Sequence, residues 1–130
     1  AGDLPKPEWT HAAHLVAGAA LVDAWGLETA RARLPDVIRA YNVASGGRNT
    51  DAEGYHETLT MFFLDEIARF LSAYVGEDDD ELADKITALL ASPLATPDYV
   101  FGFYTKARLF SVEARRAWMH PDLLVLPRPE

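Results

Sequence analysis

EWTHAAHLVAGAALVDAW, residues 8 to 25, is an almost uninterrupted run of Ala, Leu, Val and Gly that carries two histidines three positions apart. Between Ala12 and Val22 the run has almost no polar face, and a helix that is apolar all round is buried all round. It therefore predicts the central helix of an all-α protein, from about Glu8 to Trp25, with Gly26 as its C-terminal stop. Ala17, Gly18, Ala19 and Ala20 would let neighbouring backbones approach closely.

The rest of the chain also reads as helical. From about Leu27 to Ser45, Leu34, Val37, Ile38 and Tyr41 follow helical spacing, while Arg31, Arg33, Asp36 and Arg39 take the wet side. Pro35 lacks an N–H and clashes with the preceding turn, so it should start a fresh helix or kink a longer one. Gly46 and Gly47 end that element, and GGRNTDAEG (46–54) is a polar loop rich in turn formers. The stripe Leu59, Phe63, Ile67, Phe70 and Tyr74 predicts a third helix from about Tyr55 to Val75, with Asp65 and Glu66 on a charged face.

A fourth helix begins in EDDDELADKITALLAS (77–92). Asp78 and Glu81 form a capping arrangement, and Leu82, Ile86, Leu89 and Leu90 make its apolar stripe. Pro93 and Pro97 close it. DYVFGFYTKARLF (98–110) reads as one or two short helical turns, and Ser111 caps a last short helix through Trp118. Residues 119–130 form an extended tail. Its LLVL stretch (123–126) would be a sticky patch in water, so it is expected to pack on its own bundle or on a second subunit, making a homodimer. Trp9, Trp25 and Trp118 are most simply core residues. No segment alternates convincingly as a strand, and no repeat or linker divides the chain. The expected architecture is one all-α domain over 1–130, a compact bundle of four to six helices behind a Pro-interrupted lead-in at 1–7.

At 130 residues, 49% hydrophobic and 25% charged, the composition is that of an ordinary soluble globular domain with room for a core. The absence of cysteine removes disulfides and thiolate chemistry. Trp9 to Val22, the longest charge-free stretch, is too short for the ~20 apolar residues that span a bilayer, and its acidic approach is unlike a signal peptide. A cytoplasmic location is the default expectation. The net charge of -8 argues against nucleic acid and against anionic membrane surfaces. One region runs the other way: Lys106, Arg108, Arg115 and Arg116 are either a solvated helix face or an anchor for a small anionic ligand.

The histidines carry the sharper chemistry. Residues three apart project from one helix face, so His11 and His14 point the same way from a helix expected to be buried, and His56 falls on the inward stripe of the third helix. Burying imidazole costs free energy unless its nitrogens find partners. One partner is a divalent metal, and helix pairs in bundles commonly build such sites. Two histidines and a carboxylate would suit iron, while three histidines would suit zinc or copper. Glu57 is then a ligand or supporting carboxylate. Glu8 to His11 and Glu53 to His56 both read E-x-x-H, although Gly54 disfavours helical geometry at Glu53. A second reading is a metal-free polar pocket in which His56 and Glu57 do acid–base work. The third is structural, each histidine being satisfied by nearby hydroxyls and carboxylates. Tyr55, Tyr104, Arg108 and Arg115 are candidates to contact a ligand. No Gly-rich phosphate loop, nucleotide fingerprint or Ser-His-Asp pattern is present.

The blocks EWTHAAHL and NTDAEGYHETLT, followed by ASPLATPDYVFGFYTKARLFSVEARRAW, resemble a group of small bacterial helical proteins marked by W-T-H-x-x-H-L and G-Y-H-E-T. The resemblance covers most of the chain; it implies a bacterial origin and supplies no activity and no catalytic residue. The residues themselves lead to a small-molecule enzyme or binding protein with a site between the first and third helices. The competing expectation is a protein-interaction domain with core histidines. If the first reading holds, those two helices are packed neighbours and roughly parallel, with the second carrying the chain back.

Overall fold

A computed structural model describes residues 11–51, 53–74 and 82–123. Within them the chain forms α1 (His11–Trp25), α2 (Leu27–Ala44), α3 (Glu57–Ala73), α4 (Leu82–Leu90), α5 (Lys106–Leu109) and α6 (Val112–Arg116). Two 3₁₀ turns, Pro93–Ala95 and Pro97–Gly102, link α4 to α5. No strand occurs among the described residues, so the all-α class holds. With the 3₁₀ turns included, the helical elements outnumber the four to six expected. No described helix is long and apolar enough to cross a membrane. The expected start of the first helix at Glu8, Trp9, the Asp78–Glu81 cap and residues 124–126 of the LLVL stretch lie outside the described residues.

Gly26 separates α1 from α2 with a φ of 81°, a left-handed conformation that favours glycine, and its N–H closes the last turn on the Val22 carbonyl at 2.8 Å. Pro35 does not break α2, which runs through it as one helix. The His11 ring lies edge-on to Phe63, centroids 4.9 Å apart. Seven residues on, Gly18 lies so close to α3 that an added Cβ would sit 2.9 Å from the Ile67 Cδ1. The contacts advance together, so α1 and α3 run parallel. Arg31 of α2 pairs with Asp65, and Arg39 stacks over Tyr55 before α3 begins, so α2 runs back antiparallel.

The central helix is α3, not α1. On α1 only Leu15, Gly18 and Ala19 are fully buried, whereas α3 buries Thr58, Phe62, Leu64, Asp65, Glu66 and Ile67. The apolar character of α1 is largely alanine, whose small side chain loses little when left in contact with water. Two clusters flank α3. Leu15, Ala19, Ile67, Leu89 and Leu94 form one, and Phe62, Val100, Phe103, Tyr104 and Leu109 the other; Phe63 and Tyr99 pack against both. Asp65 and Glu66, expected on a wet face, are only 7% and 6% exposed. Burial is tolerated because each finds a donor. Arg31 holds Asp65, and the Tyr99 hydroxyl donates to Glu66 at 2.8 Å. Burial and that bond push the Tyr99 phenol up to about 12.

Residues 117–123 are tied down through backbone and side-chain bonds, while Leu123, the described member of the LLVL stretch, leaves its side chain exposed. The Tyr104 hydroxyl donates to the Met119 carbonyl at 2.6 Å, and the Leu123 N–H to the Phe103 carbonyl at 2.9 Å. Asp122 accepts from the Thr105 N–H and hydroxyl at 2.8 and 2.7 Å. Thr58 donates to the Ala117 carbonyl and accepts from the Met119 N–H, fastening the stretch to the first turn of α3.

Candidate functional site

The three candidate histidines occupy different environments. His56 precedes α3 rather than lying on its stripe. As N-cap, its Nδ1 accepts from the Leu59 N–H at 3.2 Å. Its Nε2 meets the Leu109 carbonyl at 2.7 Å, which requires that nitrogen to carry the proton. Both ring nitrogens are thereby committed to backbone. His11 makes a 2.7 Å bond to the Leu94 carbonyl on a different side of the fold. His14 is exposed, unlike the inward position expected for it. His56 also precedes the Phe63 that touches His11 by seven residues, about 10 Å along a helix axis. Among the described residues no three His, Asp or Glu side chains converge to hold a metal ion.

These rings make stability pH-dependent. Burial lowers the His56 pKa from 6.5, with the Arg115 charge adding to the effect. Partial burial and the His11 charge lower that of His14. The unfolded chain protonates these positions near 6.5 while the folded rings resist. Their contribution to stability is therefore complete above 6.5 and lost as pH falls toward the folded values. Replacing His56 by Asn keeps a cap acceptor but removes the titration and leaves the buried Leu109 carbonyl unmatched. The variant should be less stable at neutral pH by ~1–3 kcal/mol, with a shallower loss in acid. Urea midpoints on both sides of 6.5 would show this, and an unchanged acid slope would refute it.

The candidate ligand residues part company in a similar way. Tyr104 is buried in the second cluster, and Arg108 donates its Nε to the His120 carbonyl at 2.6 Å, so both serve the C-terminal stretch. Tyr55 and Arg115 are brought together where the loop from α2 to α3 meets α6. Asn49 organises that loop. Its side chain donates to the Arg39 carbonyl at 3.0 Å and accepts from Asn42 at 2.9 Å and from the Tyr55 N–H at 3.0 Å. A second short link runs from the Thr50 N–H to the Glu53 carbonyl at 2.8 Å. Gly54 then turns the chain with a φ of 89°, and a Cβ there would collide with the Arg48 carbonyl and with Asn49.

Ser111 caps α6, its hydroxyl accepting from the Ala114 N–H at 3.1 Å, and so aims Arg115 and Arg116 at this loop. Arg115 donates to the Gly54 and Tyr55 carbonyls at 3.0 and 3.3 Å. Arg116 forks onto Asp51, with Nε 2.8 Å from Oδ1 and Nη2 2.5 Å from Oδ2. The Arg39 guanidinium lies 4.4 Å from the Tyr55 ring centre. Together with Asn49 and Thr50 these residues line an open cavity of about 200 Å³. Three guanidinium groups face one carboxylate there, in a chain of net charge -8.

Tyr55 is no acid–base group at neutral pH. Burial and the 2.5 Å hydrogen bond to Glu57 raise its phenol well above 10. Glu57 turns toward that phenol, and His56 toward Leu109, so the two neighbours in sequence address different partners. Arg39 and Asn49 had no distinguishing mark in the sequence: one sat among wet-side arginines of α2, the other in a polar loop. Comparison with family models, curated proteins and solved structures gives no match.

Proposed function

We propose that the protein binds a small anion in the cavity between the 48–55 loop and α6. The supporting observation is the convergence of Arg39, Arg115 and Arg116 on one concave surface of an acidic chain. Guanidinium presents paired N–H donors in a rigid plane that matches carboxylate and phosphate oxygens. Arg115 is fixed through one nitrogen by two carbonyls, and Arg39 by the Tyr55 ring, so ligand binding need not order them afresh. The cavity is smaller than the ~300–1,000 Å³ of drug-sized sites, which favours a compact ligand.

Binding has more support here than catalysis, because the nearest phenol is held protonated and His56 is spent on backbone. A metal at His11, His14 and His56 has less support for the same reason: His56 offers no free lone pair. The test is calorimetric titration with inorganic phosphate and with succinate. Arg115→Ala should weaken binding at least tenfold, about 1.4 kcal/mol or more. Arg115→Lys should restore little of it, since the planar fork is lost. Failure of wild-type protein to bind phosphate, sulfate or a dicarboxylate would remove this reading.

A further inference from the structure

Asp51 puts a carboxylate where an anionic ligand's oxygens would go. It is joined to both the Nε and the Nη2 of Arg116, the paired geometry that a bound carboxylate or phosphate adopts on a guanidinium. The two side chains are 66% and 52% exposed, so the pair is open to water and to exchange. Arg115 makes no such pair: its described bonds go to the Gly54 and Tyr55 carbonyls. Arg116 is therefore occupied at both fork nitrogens by the chain's own anion, Arg39 meets Asp36 through a single looser contact of 3.5 Å, and Arg115 is held in place by neutral oxygens.

Resting on the anion-binding reading, we infer that Asp51 is a built-in competitor that the ligand displaces from Arg116, which restricts the site to dianions. A monoanion that replaced Asp51 would exchange one carboxylate contact for another. It would also have to outcompete a group tethered beside its partner, whose effective concentration is of millimolar order. A phosphate, a phosphate monoester or a short dicarboxylate gains more, because its second charge reaches Arg115, whose bonds go to neutral carbonyls, while its first takes Arg116. Asp51 remains a competitor over the whole working range of pH. The Arg116 hydrogen bonds, and the Arg116 and Arg115 charges, hold its carboxyl below the usual carboxylate range.

The competitor and a simple field effect differ in what neutralisation does. Glu113 is a second acid whose charge Arg116 feels, but it does not occupy the fork. Inorganic phosphate and acetate would be titrated into wild type, Asp51→Asn and Glu113→Gln, with thermal melting to confirm folding. Wild type should take phosphate and not acetate at millimolar concentration. Asp51→Asn should bind phosphate about tenfold tighter and acetate measurably, as expected when a tethered competitor is removed, while Glu113→Gln shifts phosphate by less than about twofold. Equal gains in the two variants, or phosphate affinity unchanged or weakened in Asp51→Asn, would overturn the competitor role and leave anion binding standing. Absence of phosphate binding in all three proteins would remove the anion site itself.

Discussion

Replacing Gly54 by alanine is expected to unseat the 48–55 loop and abolish anion binding. The left-handed backbone at this position costs an L-residue about 1–2 kcal/mol. Packing adds more than strain does. The new methyl would meet the Arg48 carbonyl and the Asn49 side chain and Cα, which are the atoms that organise the loop. Relief by backbone movement costs a further ~1–3 kcal/mol, as in other overpacked sites. It would also pull Tyr55 from Asn49, and the Gly54 and Tyr55 carbonyls from Arg115. Gly26→Ala is the control. Its φ of 81° is as demanding, yet nothing lies within 4 Å of the added carbon. Gly26→Ala should lose only the strain energy and keep phosphate binding, whereas Gly54→Ala loses both stability and ligand. Equal urea midpoints for the two variants, with binding intact in each, would show that the crowding at Gly54 does not matter.

The largest loss of stability is expected from Phe62→Ala. Phe62 is wholly buried, with Phe63 and Phe103 each 5.1 Å from its ring centre and Tyr104 at 5.8 Å. Removing a ring from such a site typically costs ~3–5 kcal/mol, comprising lost burial and the cavity left behind. That is a large share of a small domain's net stability of ~5–15 kcal/mol. Phe110, 59% exposed, provides the comparison; its replacement by alanine should stay within about 0.5 kcal/mol. Thermal and urea unfolding of the two variants would measure the difference. A Phe62→Ala protein that melts with wild type would mean that the second cluster does not carry the fold.

Phe62 also shows how far the sequence could be read. Helix existence was legible because spacing and punctuation are local: Gly26, Ser111 and the α3 periodicity mark elements that form. Orientation around α3 was less so. The part of the stripe through Phe63 and Ile67 described the side toward α1, but α3 is covered on other sides too, and there Phe62, Asp65 and Glu66 go inside. An acidic residue looks solvated in a sequence because its partner, Arg31 for Asp65, lies 34 positions away. The same limit applied to the site. Tyr55 and Arg115 could be singled out one at a time, but only the antiparallel return of α2 brings Arg39 over Tyr55. The surroundings of the histidines were hidden for a related reason. Spacing shows which residues share a face, not that backbone carbonyls of Leu94 and Leu109 already satisfy the rings of His11 and His56.

The fastening of Ala117 and Met119 to Thr58 at the start of α3 bears on the order in which the chain can fold. On the ribosome, α1, α2 and α3 emerge first and can associate. The side of Phe62 that faces Phe103, Tyr104 and Leu109 has no cover until those residues leave the exit tunnel. Thr58 must wait longer still, for Ala117 and Met119. Arg115 and Arg116 arrive with that same segment, so the cavity they share with Arg39 and Tyr55 is completed only after α1, α2 and α3 have all emerged. A nascent chain stopped before that point presents an aromatic surface to chaperones and lacks two of the three arginines that line the cavity.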